Sequence, residues 1–525
     1  FGYHLTNLLL HGGASLLLLA LARRWLPSPR AALAAAAIFA VLPVHTQSVA
    51  WIAGRTDLLA TFFFLAALLM AQRAVESRSA SLHAASFGAL ALALLSKEMA
   101  ASYPAALALH ASFTGARGDP ANGERRGFGW ISRRWGPAIA GASAIVAAWL
   151  GLRLLIVGRA VGYTDDPHAW WTRASGTASR LLAVPSIVSF YLARVVVPWK
   201  LGFESGLHPV HAPGLSQLAP PIAVLLIGGA AVAVLGRREP AILFGALWFL
   251  TTLLPVANVF PIFESAMEHF VYLPSAGIVV AGVAIALALA RAPAARAALL
   301  ASVLVLLGAR TAIRNLDWRD EETFWKVTTR DTPSARAWNN LGLYLKGAGR
   351  LEEAEGALQR VAVDEADLPA TWSNLGVVAA ARGERQKAIG LFERALAIDP
   401  ASADALYNLA LTLETNARGA RYGPGFPAPE AEAVYRSLLA AHPEHAEGWT
   451  NLGVLLEVLE RPEDAAAAYQ HAIDAAPRLA EPYAFLAAVR WRRGDRQGAS
   501  QLYRRYLDLA PSGDLAPEAR ARRAP

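Results

Sequence analysis

The chain has 525 residues, is 55% hydrophobic and only 17% charged, against about 25% charged in soluble globular chains, which excludes an ordinary soluble domain. It contains no cysteine, so disulfides, zinc thiolates and thiol nucleophiles are excluded. Its net charge of +8 divides into +12 over residues 1–310 and −4 over the remainder; the positive excess sits in short loops between apolar runs, a pattern that orients membrane proteins rather than one that seeks nucleic acid.

The sequence opens on Phe1 rather than Met and enters an apolar run at once, so it reads as truncated at its N-terminus. A membrane-spanning helix needs about 20 mostly apolar residues. Candidate runs are 4–22, 31–44, 57–72, 84–96, 99–113, 137–156, 217–235, 240–257, 272–290 and 295–310. The pair 84–96 and 99–113 is interrupted by Ser96, Lys97 and Glu98, and also reads as one bent or re-entrant element. If each run crosses once, five arginine-bearing loops share a side: Arg23, Arg24 and Arg30; Arg73 and Arg78; Arg117, Arg125, Arg126, Arg133 and Arg134; Arg237 and Arg238; Arg291 and Arg296. The positive-inside rule makes that side cytoplasmic. Residues 44–56, the Ser96–Glu98 break, 157–216, 256–271 and everything after about 311 then lie outside. The apolar stretch 181–198, with Pro185 and Arg194, is expected on the outer surface. By the same count Phe1 starts outside, which places a first span upstream of it.

Four polar clusters fall on the outer side: His45 and Thr46 with Arg55 and Asp57; Ser96-Lys97-Glu98; Glu264, Glu268, His269 and Tyr272; and Asp165, Asp166 and His168 beside Trp170 and Trp171. Ionisable residues at a membrane boundary are functional candidates. Three of them have a plainer alternative: Arg55 and Asp57 as a helix start, Lys97 as a snorkelling side chain, and the Asp165–Trp171 stretch as an interfacial aromatic belt. Their shared chemistry suits a lipid-linked sugar phosphate. Lys and Arg would hold the phosphate and stabilise its charge on departure, while a carboxylate or His would take the proton of an acceptor hydroxyl. P-loop, G-x-S-x-G and H-E-x-x-H signatures do not occur, which leaves soluble NTPase, hydrolase and zinc-protease readings unsupported.

Beyond residue 310 the periodicity changes. Trp338-Asn339-Asn340-Leu341-Gly342 recurs after 34 residues as Trp372-Ser373-Asn374-Leu375-Gly376, and again as Leu406-Tyr407-Asn408-Leu409-Ala410. Trp449-Thr450-Asn451-Leu452-Gly453 follows after 43 and Tyr483-Ala484-Phe485-Leu486-Ala487 after 34. The additional nine residues lie in the Gly-, Pro- and Arg-rich stretch 417–429. A small-then-large pair four apart also recurs: Ala354/Leu358, Ala388/Phe392, Ala431/Tyr435, Ala465/Tyr469 and Ala499/Tyr503. Pro400, Pro443, Pro477 and Pro511 close four units. This is the 34-residue tetratricopeptide period five times over, and such arrays present a groove that binds extended peptide or protein; a spacer or an oligomerisation surface is the plainer alternative.

The motifs carry a family resemblance. Leu42-Pro43-Val44-His45-Thr46-Gln47-Ser48-Val49, followed by Gly54-Arg55-Thr56-Asp57-Leu58-Leu59, resembles the H-P-[IV]-H-T-E-A-V … G-R-[AT]-[DE]-L-L segment of the transmembrane and tetratricopeptide repeat-containing proteins. Leu95-Ser96-Lys97-Glu98 resembles their L-S-K-E motif, and Glu268-His269-Phe270-Val271-Tyr272-Leu273-Pro274-Ser275 their E-R-[FV]-L-Y-L-P-S. Gln47 stands for the usual Glu and His269 for the usual Arg. The resemblance implies a GT-C-type, inverting glycosyltransferase that moves a sugar, typically mannose, from a polyprenyl-phosphate carrier to Ser/Thr of exported proteins. By position, Lys97 and Arg55 would contact the donor phosphate, with His45, Asp57, Glu98, Glu268 and His269 around the same outward cavity. The acidic catalytic base of such enzymes lies in the first outward loop, expected upstream of Phe1.

The sequence therefore predicts an all-α chain: a multi-pass GT-C-like membrane domain over 1–310 with about ten segments, a connecting helix over 311–337, five repeats forming an α-solenoid over 338–514, and a disordered tail over 515–525. No resident cofactor is expected, a divalent metal is left open, and the lipid-linked sugar phosphate is the donor substrate. Membrane lipid and an exported protein held in the repeat groove are the expected partners, with no nucleic acid. The Ala- and Arg-rich composition points to a bacterial inner membrane with the repeats on the extracytoplasmic side. A non-catalytic membrane-anchored scaffold and another lipid-linked glycan ligase are the competing readings.

Overall fold

Inside lipid, backbone polar groups have only one another as partners, and the apolar runs accordingly fold as helices. The computed structural model describes residues 2–116, 128–158, 177–203, 214–257, 259, 266–364, 368–416 and 418–523. The expectations for Arg117, Arg125, Arg126, Asp165, Asp166, His168, Trp170, Trp171 and Glu264 fall outside these residues. Contacts divide the chain into two units, Phe1–Ala337 and Trp338–Pro525.

The first unit holds α1 (Gly2–Trp25), α2 (Pro29–Ala40), α3 (Thr46–Ala50), α4 (Arg55–Ser77), α5 (Ala80–Ser96), α6 (Tyr103–Ala116), α7 (Phe128–Val157), α8 (Thr177–Val196), α9 (Leu215–Gly236), α10 (Pro240–Leu253), α11 (Tyr272–Leu289), α12 (Pro293–Leu316) and α13 (Glu321–Asp331). Among the described residues, six helical stretches are long and apolar enough to cross a membrane: those of α1, α4, α7, α9, α11 and α12. A seventh arises if the pair Pro29–Ala40 and Pro43–Ala50, bent by 46°, counts as one span. Of the ten runs expected, 84–96 and 240–257 lie in shorter apolar helices, and 99–113 begins with a 3-10 turn over Glu98–Ser102 before α6.

Burial ranks these helices. In α11, 72% of the apolar window is buried, and 67% in the stretch of α4, against 6% for α7, α9 and α12. The first two form the centre of the unit; the others present their apolar side chains outward, where lipid would cover them. Gly245 of α10 and Gly277 of α11 meet face to face, and a Cβ on either would strike the other's carbonyl, the close approach that small residues give membrane helices. The α4–α5 hairpin turns at Arg78, whose φ is 55°, and Ser79 then caps α5 by accepting from Leu82 N. α8 packs on the bundle through Ile187, Val188, Tyr191 and Val195.

The stretch 311–337, expected as one connecting helix, is not one. Residues 311–316 end α12, the chain turns, and Asp320 caps α13 by accepting from Thr323 N at 2.7 Å. Trp318, Phe324 and Trp325 pack with Phe203, the ring centroids of Phe203 and Phe324 lying 5.6 Å apart. Four aromatic rings thus fold this stretch into the core of the first unit, which a count of helix formers does not reveal.

The second unit is a run of helix pairs. They are α14 (Ala335–Gly347, which starts just before the boundary) with α15 (Leu351–Asp364), α16 (Pro369–Ala381) with α17 (Arg385–Ile398), α18 (Ala403–Leu413) with α19 (Ala428–Ala441), α20 (Ala446–Val458) with α21 (Pro462–Ala475), and α22 (Glu481–Arg492) with α23 (Arg496–Leu509). The sequence pattern has a direct packing cause. Ala354, Ala388, Ala431, Ala465 and Ala499 are all buried, as are Leu358, Phe392, Tyr435, Tyr469 and Tyr503. In the three units whose motif ends in glycine, the large side chain fills the space the glycine leaves: a Cβ on Gly342 would lie 2.7 Å from Leu358 Cγ, one on Gly376 2.6 Å from Phe392 Cε1, and one on Gly453 would strike the Tyr469 ring.

Two features at the edges of the array carry their own order. The insertion within the third pair is organised by Asn416, whose Oδ1 accepts from Arg418 N and Ala420 N at 2.9 and 3.1 Å. Buried Glu414 accepts from Tyr435 OH and from Arg421 Nε, each at 2.8 Å. The tail expected to be disordered instead forms α24 (Ala516–Arg522). Ala516 and Ala519 are buried, and Tyr503 OH donates to Glu518 Oε1 at 3.2 Å. The last helix pair otherwise ends in open apolar surface, which a terminal capping helix covers.

Candidate active site

The α4–α5 hairpin is antiparallel, so the start of α4 and the end of α5 adjoin. Arg55 is the first residue of α4, Asp57 lies in its first turn, and Lys97 follows the last residue of α5. An acid at a helix N-terminus and a cation at a C-terminus each complement the helix dipole. Here they also meet: Lys97 Nζ donates to Asp57 Oδ1 at 2.8 Å and Oδ2 at 2.9 Å. The Asp57 side chain is 1% exposed and that of Lys97 12%. The ammonium stands 4.7 Å from the centroid of Phe270, and half-buried Glu98 follows it at the start of the next turn.

Arg55 is positioned from α1. Asn7 donates from Nδ2 to Val49 O at 3.0 Å and Trp51 O at 3.2 Å, and its Oδ1 accepts from Arg55 Nε at 3.2 Å. The Arg55 guanidinium lies over the Tyr3 ring at 5.0 Å.

The third motif, the 3-10 turn Glu268–Val271, is where the others converge. Gln47 is fully buried; its Nε2 donates to Phe203 O at 2.9 Å and its Oε1 accepts from His269 N at 2.8 Å. An amide can donate and accept at once, whereas an ionised carboxylate only accepts, so Gln fits here where Glu would face the Phe203 carbonyl unpaired. Glu268 Oε1 accepts from Gly202 N at 2.7 Å, and its Oε2 pairs with Arg314 Nη2 at 3.5 Å. The His269 ring packs between Trp51 and Phe270, and its Nδ1 has no hydrogen-bond partner among the described residues. His45 is also enclosed. Ser275 Oγ donates to Tyr272 O at 2.7 Å, so it accepts from His45 Nε2 at 2.9 Å. The structure thus brings Arg55, Asp57, Lys97 and Glu98 together on one hairpin. It places His45, Glu268 and His269 inside the packing rather than on an open cavity wall, because helix-to-helix contacts use their polar atoms or rings.

Several contributors were not singled out from sequence. Asn7 is one. His11 is another: its Nε2 donates to Ala40 O at 3.0 Å, which leaves Nδ1 to accept from Tyr272 OH at 2.5 Å. Arg310 and Arg314 of α12 are the others. The available signal was an ionisable pair four apart in an apolar helix. Among the described residues, no three His, Cys, Asp or Glu side chains gather as a metal site.

Residues 1–119 match the family described as dolichyl-phosphate-mannose-protein mannosyltransferase, and residues 345–479 match the middle TPR-like domain of cilia and flagella-associated protein 70. Protein O-mannosyl-transferase Tmtc1 of Drosophila melanogaster is 29% identical over 440 residues, covering 68% of this chain and 51% of that protein. The chain resembles the transmembrane and tetratricopeptide-repeat protein O-mannosyl-transferases. Protein O-mannosyl-transferase TMTC3 of Homo sapiens is 24% identical over 557 residues, 98% of this chain and 59% of the relative. This chain therefore spans roughly half of the length of the curated relatives it matches. Among solved structures, MamA 41-end from Desulfovibrio magneticus RS-1 is 24% identical, covering 34% of this chain and 97% of that one at a TM-score of 0.29. With its apolar helices, the chain is a multi-pass membrane protein with a tetratricopeptide array.

Proposed function

We propose that this protein transfers mannose from a polyprenyl-phosphate carrier to Ser/Thr hydroxyls of exported proteins, with the repeats holding the acceptor on the extracytoplasmic side. The observation that carries this reading is the hairpin that pairs Lys97 with Asp57, two residues along α4 from Arg55, within the region similar to the mannosyltransferase family. In the reaction the acceptor oxygen bonds to the sugar C1 as the C1–O bond to phosphate breaks. The carrier phosphate leaves with the electron pair, and the acceptor proton passes to a base. Charge therefore grows on the departing phosphate, and fixed cations there stabilise the transition state more than the ground state. Asp57 holds the Lys97 ammonium in one place, which removes the cost of ordering it during the reaction. Arg55 donates from Nε to Asn7 and from Nη2 to Tyr3 O at 3.5 Å, which holds its guanidinium in place and leaves further N–H donors for a ligand.

The test is sugar transfer by the protein in vesicles supplied with polyprenyl-phosphate mannose and a secreted acceptor. Lys97→Ala is expected to lower the rate by about 10²-fold or more, the scale of losing one preorganised electrostatic contact, while membrane insertion is unchanged. Transfer at the original rate would remove Lys97 from the mechanism. The sidedness has a separate check, since the chain lacks cysteine. A cysteine placed at Gly419 should react with an impermeant thiol reagent on intact cells, and protection would reverse the orientation.

A further inference from the structure

The first helix of four repeats carries an asparagine at one fixed place. Asn340, Asn374, Asn408 and Asn451 occupy the same slot of the recurring motif in α14, α16, α18 and α20, and the fifth unit has Phe485 there. All four are half-buried. Among the described residues, the first helices of successive pairs approach one another, α16 to α18 and α20 to α22, more closely than the second helices do. In a curved stack the closer set lies on the inside, so the asparagines belong to the helices that line the concave face.

Their amides are engaged from one end. Asn374 Nδ2 donates to Asn339 Oδ1 at 2.7 Å and Asn451 Nδ2 to Tyr407 OH at 2.9 Å, each reaching the first helix of the preceding pair. Asn408 Nδ2 donates to Asp404 O at 2.8 Å. The Oδ1 atoms of these three make no hydrogen bond among the described residues, Asn340 makes none through either end, and none of these atoms is enclosed. An amide oxygen has two lone pairs to offer. The N–H end thus holds three of the side chains in place, and the carbonyl ends form a row of open acceptors.

The spacing of the row selects its occupant. Packed helix axes lie about 8–10 Å apart. A chain in the polyproline II form has three residues per turn and rises about 3.1 Å per residue, so one edge of its backbone returns about every 9.3 Å. A β-strand returns the same face after two residues, about 6.8 Å, and falls out of step. The polyproline II backbone makes no internal hydrogen bonds, so every third N–H is free to meet an asparagine oxygen.

We infer that this asparagine row binds the backbone of an acceptor segment in the polyproline II form, one N–H at every third residue, with side chains left free to vary. This rests on the acceptor role given to the repeats under the proposed function, and its test reads binding rather than transfer. The protein in detergent is titrated with two fluorescently labelled twelve-residue peptides, followed by anisotropy, with thermal unfolding measured in parallel. One peptide repeats Ala-Pro-Pro and the other is all proline. Both hold the polyproline II form, but only the first has an N–H at every third residue. The Ala-Pro-Pro peptide is expected to bind at least tenfold more tightly. Asn340→Ala, which removes no bond within the protein, should weaken it a few-fold with unfolding unchanged, and Asn340→Ala with Asn408→Ala at least tenfold. Equal affinity for the two peptides, no binding of either, or full affinity in the double variant overturns the row as a backbone site. Sugar transfer that proceeds while the peptides bind alike sinks the row alone; peptides that discriminate while transfer fails leave the row standing and sink the chemistry.

Discussion

The two units are built on opposite principles of contact. In the repeat unit, a side chain's partner sits on the adjacent helix and recurs with the period. Gly376 receives Phe392 sixteen residues on, and Gly453 receives Tyr469 at the same interval. In the membrane unit the decisive contacts join distant segments: His11 with Tyr272, Gln47 with His269, and Thr311 Oγ1 with Val41 O at 2.6 Å. The repeats are held by apolar volume, which tolerates exchange of similar shapes. The membrane unit is held at its site by buried polar groups that each need a specific partner. Errors in the first should be graded and local; errors in the second should be abrupt.

The largest effect is expected where a buried charge loses its partner. Glu268→Ala leaves Arg314 with Asp317 alone and Gly202 N without an acceptor, and breaking a buried pair from one side costs about 3–5 kcal/mol. The thermal unfolding midpoint in detergent should fall steeply. Adding Arg314→Met to Glu268→Leu should recover most of the loss, because a well-packed apolar replacement of a buried pair is close to neutral. If the double variant is no better than Glu268→Ala, the pair is not what holds this region.

A smaller effect isolates hydrogen-bond direction at constant size. Gln47→Glu keeps the acceptor for His269 N but removes the donor to Phe203 O. An unsatisfied buried polar group costs about 1–3 kcal/mol, so unfolding measured at neutral pH should show a loss in that range. Gln47→Met loses both bonds and should be at least as damaging. Full stability in Gln47→Glu would mean that Phe203 O finds another donor.

The same contrast explains what could be read from residues alone. The five repeats were legible because each unit repeats one local packing solution, so Ala388 with Phe392 announces Ala465 with Tyr469. The helix α24 was not, since its seven residues, starting Ala516-Pro517, are too few to show a period. In the membrane unit the apolar runs gave the helices, and the Arg55–Asp57 and Lys97 motifs lay on segments that a tight hairpin joins. Asn7, His11 and Arg314 stayed hidden: each is an unremarkable polar residue until a segment 42 to 261 positions away supplies its partner. The role of Gln47 was hidden for the same reason, since Phe203 and His269 reach it from two other parts of the chain.

The smallest expected effect tests the repeat side of the comparison. Glu432 accepts from Arg436 Nη2 at 2.7 Å and from Arg461 Nη1 at 2.9 Å, near the surface of the array. Burial alone would push its carboxyl up, but the bonds from Arg436 and Arg461 outweigh it and hold the carboxyl below its ordinary value. A depressed value in the folded state means that the pairing stabilises above the unfolded carboxyl range, about 4.3, and fades as pH falls through the folded one. Glu432→Ala should therefore cost less than about 1 kcal/mol at pH 7 and low salt. The penalty should shrink as salt rises and vanish at acid pH, because the protonated side chain no longer attracts either arginine. A penalty as large as that of Glu268→Ala, or one indifferent to salt, would show that the array also depends on specific charge partners, and the contrast with the membrane unit would fail.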